Sequence, residues 1–129
     1  MTEKSADRRK QSREIGLSLL VVFALVRTAL ILSPSSNLIV AGYSVHHLFT
    51  GILLLLVAGI PLVLGLGVGK MKTALNVIFG SGLALVMDEW IYLIATDGSD
   101  SSYLLPVSLW GGIVLVAFTA IYVALLGRK

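Results

Sequence analysis

The chain has 129 residues, of which 57% are hydrophobic, with a mean hydropathy of +0.94 and a formal net charge of +3. A soluble domain is about 45–50% apolar by a similar count. Here the excess falls in four long blocks, the pattern of an integral membrane protein. The chain has no cysteine, which excludes disulfides, thiolate metal sites and cysteine nucleophiles. The basic residues flank the apolar blocks, so they read as an orientation signal and not as a nucleic-acid footprint.

Residues 1–14 form a polar leader rich in Lys and Arg, flexible or partly helical, which anionic headgroups can hold at a membrane surface. Span 1 covers residues 15–32. It is longer than a usual signal-peptide core and contains Arg27, so it is read as a retained helix. Ser33, Pro34 and Ser35 break it. Span 2 covers residues 43–66, with Pro61 expected to kink or loosen its last turns. The glycine-rich run at 65–70 lacks the spacing of a phosphate-binding loop and reads as a tight turn.

Span 3 covers residues 73–95. A polar turn follows at 96–102, in which Asp100 or a serine is expected to cap the next helix. Span 4 covers 103–126, with Pro106 in its first turn, and residues 127–129 are a tail. Trp90, Tyr92, Tyr103 and Trp110 are assigned to an interfacial aromatic belt. Lys and Arg occupy the leader, the 70–72 turn and the tail, and they are missing from the other two loops. The positive-inside rule then places both termini in the cytoplasm of a multi-pass cell-membrane protein. The expected fold is an all-α antiparallel bundle of four transmembrane helices, N-in and C-in.

Five ionisable residues interrupt the spans: Arg27, His46, His47, Asp88 and Glu89. From the predicted outer ends of their spans, Arg27 lies about 7–8 Å deep, the histidines about 5–6 Å and the carboxylates about 9–10 Å, at 1.5 Å per residue. One outward-facing polar layer is therefore expected. Asn76, Gly80, Ala84 and Asp88 recur every four residues, a small and polar stripe that points Asp88 into the bundle. Glu89 lies about 100° away, facing either the same interior or a partner.

Three readings fit these residues. In the first, the cluster is structural: Arg27 neutralises Asp88 or Glu89 and the histidines bond the other carboxylate or backbone, as in an accessory membrane subunit. In the second, His46, His47, Asp88 and Glu89 supply ligands to Zn, Fe or Mn in an enzyme acting on an outer-leaflet lipid or isoprenoid-linked substrate. In the third, the cluster handles protons or ions, although the inner half offers only Thr73, Asn76 and Thr119 to continue a path.

The histidine pair and the glycine-rich helix ending in Asp-Glu resemble small prokaryotic membrane proteins. The small multidrug transporters are similar in length but carry their membrane carboxylate in the first span, where this chain has Arg27. Bilayer lipid is the expected partner, together with further copies or a larger membrane complex.

Overall fold

The computed structural model describes residues 3–33, 38–40 and 43–129. Helix α1 spans Glu3–Leu32, continuous through the basic leader. Two short strands follow, β1 (Leu38–Val40) and β2 (Tyr43–Val45), paired antiparallel with Leu38 opposite Val45. Then come α2 (His47–Val63), α3 (Gly69–Ala95), the single-turn α4 (Asp100–Tyr103) and α5 (Pro106–Leu126).

Helix α3 is the centre of the arrangement. It packs against α1, α2 and α5, and α1 also touches α5. Small residues set the spacing. A Cβ on Gly51 would lie 2.8 Å from the Gly82 carbonyl oxygen, and one on Gly82 would lie 2.8 Å from that of Gly51, so α2 and α3 meet backbone to backbone. A Cβ on Gly80 would lie 2.0 Å from Ser18 Oγ and 2.4 Å from the Ile15 carbonyl oxygen, which fixes the α1–α3 crossing. Close contact between small residues is how helices associate where lipid removes the hydrophobic drive.

The apolar core is small, built on Leu19, Ala84 and Val116 with Val22, Phe23 and Met87 beside them. Large apolar side chains point outward on every long helix, among them Leu25, Phe49, Leu53, Ile94 and Phe118. Such a surface is far more apolar than a soluble monomer shows. Three helices, α1, α3 and α5, are long and apolar enough to cross a membrane, while α2 is apolar but has 17 residues.

The two ends of the molecule differ. The starts of α1 and α3 meet the end of α5, through Lys72 Nζ to Asp7 Oδ2 at 2.5 Å and Ser12 Oγ to the Val123 carbonyl at 2.7 Å. Every lysine and arginine except Arg27 belongs to that end or the short segments beside it. At the same end, Glu14 accepts hydrogen bonds from Thr73 Oγ1 at 2.9 Å and Asn76 Nδ2 at 2.7 Å.

Five local expectations change. Helix α2 begins at His47 and not at residue 43, because Tyr43–Val45 pair with β1. Its far end does not fray. The Leu66 amide bonds the Pro61 carbonyl, the Gly65 amide bonds that of Leu62, and Gly65 sits at φ 68°, a Schellman stop that suits glycine. Helix α3 consequently starts at Gly69, not at 73. Span 4 is divided: α4 takes residues 100–103, and α5 starts at Pro106, where the missing amide costs nothing. Ser99 is the N-cap of α4 but makes no side-chain cap bond; its hydroxyl donates to Asp97 Oδ1 at 2.7 Å instead. The break expected at Pro34 and Ser35 lies outside the described residues.

Candidate functional site

The five ionisable residues come together at the end of the molecule opposite the basic one. Asp88 and Glu89 are consecutive on α3, and both are buried, at 0% and 3% exposure. The i+4 stripe predicts this for Asp88, since Asn76, Gly80 and Ala84 are buried on the same face. Glu89 is inward as well, because α2 covers the adjoining face of α3.

Arg27 arrives from α1 and is 5% exposed. Its Nη2 lies 2.7 Å from Asp88 Oδ1. That close approach is Coulombic and not an aligned hydrogen bond, so Oδ1 has no hydrogen-bond donor. The Nη2 protons instead go to the carbonyls of Asp88 at 3.1 Å and Ser108 at 3.3 Å. Nη1 donates to the Tyr103 carbonyl at 3.3 Å and to Ser108 Oγ at 3.2 Å. The guanidinium carbon stands 4.2 Å from the centre of the Tyr103 ring, a cation–π contact. Gly112 makes room for the group, since a Cβ there would lie 3.1 Å from Nη2. One planar fork thus ties α1 to α3, α4 and α5, a geometry that suits Arg better than Lys.

The histidines enter from the start of α2. His47 Nε2 is 2.8 Å from Asp88 Oδ2, and its Nδ1 is 3.3 Å from Glu89 Oε1. The ring therefore stands between the two carboxylates. His46 Nδ1 is 3.1 Å from Glu89 Oε1, and the Leu48 backbone amide donates to Glu89 Oε2 at 2.8 Å. His46, the N-cap residue of α2, makes no side-chain cap bond of its own. Glu89 does that work from the neighbouring helix and sets a negative charge at the positive end of the α2 dipole.

Two residues assigned to the aromatic belt belong to this network. The Tyr103 hydroxyl donates to Asp88 Oδ2. Tyr92 is buried and donates to the Gly98 carbonyl at 2.5 Å, and the two tyrosine rings meet edge to face at 5.3 Å. Trp90 and Trp110 do face outward. Composition marks aromatics near a span end as interfacial; the four-residue step from Asp88 to Tyr92 was the available signal for an inward ring.

The His47 nitrogens are directed at carboxylate oxygens, and among the described residues no group of three or more His, Asp or Glu side chains is arranged to hold a metal ion. The arrangement pairs opposite charges across α1, α2 and α3. Its most open edge is the histidine pair, with side chains 29% and 21% exposed. No protein-family model, curated protein or solved structure matches the chain.

Proposed function

We infer that this is a small multi-pass protein of the cell membrane, with four spans and both termini cytoplasmic, acting as a structural or accessory membrane subunit. In this reading Arg27, His46, His47, Asp88 and Glu89 lock the outer half of the bundle. The observation that carries it is closure. The two carboxylates and the guanidinium are almost wholly buried, and each faces a charged or polar partner from another element. An enzyme acting on an outer-leaflet lipid needs that cluster open.

A proton path finds no support either. The core of Leu19, Ala84 and Val116 lies between the outer network and the Glu14–Asn76 contact at the basic end. Along α3, Asn76 and Asp88 are separated by about 18 Å of helix, with Ala84 buried between them. The fourth span is α2, which at about 25 Å suits a hydrocarbon core of about 30 Å only with local thinning or help from the flanking residues.

Elemental analysis of the detergent-purified protein, beside Asp88→Asn and His47→Ala, tests the reading. The expected result is a metal-free wild type and two variants that melt at lower temperature. Stoichiometric Zn, Fe or Mn, lost in both variants, would overturn it in favour of a metal enzyme.

A further inference from the structure

The ends of α1 and α5 touch at Ser12 and Gly127, where a Cβ on Gly127 would lie 2.4 Å from Ser12 Cβ. Beside that contact opens a cleft of about 630 Å³. Three arginines line its outer part: Arg9 and Arg13 from α1 and Arg128 from the end of α5. Further in, Gly16, Ala120 and Ala124 leave the space, and a Cβ on Gly16 would meet nothing within 4 Å. Among the described residues none of the three arginines makes a direct ion pair, Arg13 being only within electrostatic reach of Glu14, whereas Lys10 and Lys72 at the same end are paired with Glu14 and Asp7. The cleft is thus cationic at the helix ends and apolar a turn or two deeper. A second cleft of about 540 Å³ repeats the pattern with Arg8 and Lys129.

We propose that the cleft between α1 and α5 binds an anionic phospholipid of the inner leaflet. Arg9, Arg13 and Arg128 hold the phosphate, and an acyl chain lies along Gly16, Ala120 and Ala124. Charge complementarity selects the occupant: guanidiniums without a direct carboxylate contact take phosphate oxygens in bidentate pairs. Basic pockets between helices at the cytoplasmic side are where anionic headgroups are recognised. The proposal rests on the membrane reading above and adds a lipid class to it.

The test is native mass spectrometry of the full chain in detergent, titrated with dioleoyl phosphatidylglycerol or dioleoyl phosphatidylcholine. Phosphatidylglycerol is expected to bind about tenfold more tightly. Arg9→Gln/Arg13→Gln should remove that preference, while Lys4→Gln/Lys70→Gln, equal in charge loss, should keep affinity within about twofold. Gly16→Leu fills the cleft at constant charge and should also weaken binding about tenfold. Equal binding of the two lipids, equal loss in both charge variants, unchanged binding by Gly16→Leu, or displacement by inorganic phosphate would each overturn the site. Release of the wild-type chain from native membranes by alkaline carbonate would overturn the membrane reading itself.

Discussion

Glu89 of α3 accepts the backbone amide of Leu48 at 2.8 Å, so a carboxylate from one helix closes the N-terminus of another. The same carboxylate holds His46 at 3.1 Å and lies 3.3 Å from His47. Helix α2 depends on α3 for its packing and for its start.

Glu89→Ala should therefore loosen the first turn of α2 before anything else. The expected cost is about 1–3 kcal/mol, a lost cap plus unpaired imidazole groups. Hydrogen exchange at Leu48, Phe49 and Thr50 should accelerate more than exchange along α3. Glu89→Gln keeps one acceptor and should fall between the two. Exchange unchanged at Leu48 would contradict the cap.

Tyr103 contributes in two separable ways. Tyr103→Phe removes the hydroxyl that donates to Asp88 Oδ2 and keeps the ring against Arg27, at a cost of about 1–2 kcal/mol. Tyr103→Leu removes the ring face as well and should cost a further 0.5–2 kcal/mol or so. Thermal melts of the three proteins in one detergent give the ranking; equal melting temperatures would contradict it.

Gly80→Ala places a methyl group against Ser18 Oγ and the Ile15 carbonyl, and the carbonyl cannot rotate away. The α1–α3 crossing must widen, with a cost of about 1–3 kcal/mol. Gly16→Ala on α1 is the control, since a Cβ there meets nothing within 4 Å, and its melting temperature should not fall.

The turn after α3 carries an acid-sensitive contact. The Ser99 backbone amide and hydroxyl, both donating to Asp97, hold its carboxyl at about 2 against an ordinary 3.8. A carboxyl lowered on folding stabilises the fold above its unfolded value, and that contribution is lost as pH falls from about 4 to about 2. Asp97→Asn should flatten the melting temperature over that window and leave the profile above pH 5 parallel to wild type. An unchanged acid limb would contradict the role of this turn.

Much of the site was legible from residue types. Five ionisable groups in apolar blocks, compared by depth, pointed to one layer, and the four-residue stripe from Asn76 to Asp88 gave the buried face of α3. The remainder depends on contacts between elements. Nothing local marks Glu89 as a cap for α2, because its partner amide lies 41 positions away. Glu14 reads as one more leader charge until α3 brings Thr73 and Asn76 to it. The late start of α2 was hidden because Tyr43–Val45 holds no Gly or Pro to mark a break before the apolar run, and only pairing with β1 takes it out of the helix.

The central claim is that the buried ionic network is a closed lock, and a double-mutant cycle on Arg27 and Asp88 tests it most directly. Arg27→Leu leaves buried Asp88 with only His47 and Tyr103 as partners, and Asp88→Leu leaves the buried guanidinium with carbonyl and hydroxyl acceptors alone, at a cost of about 3–5 kcal/mol apiece. The double variant removes both charges, so it should lose less than the sum of the two by a coupling energy of about 1–3 kcal/mol. Losses that simply add, or single variants as stable as wild type, would contradict the lock and leave the two groups free for chemistry.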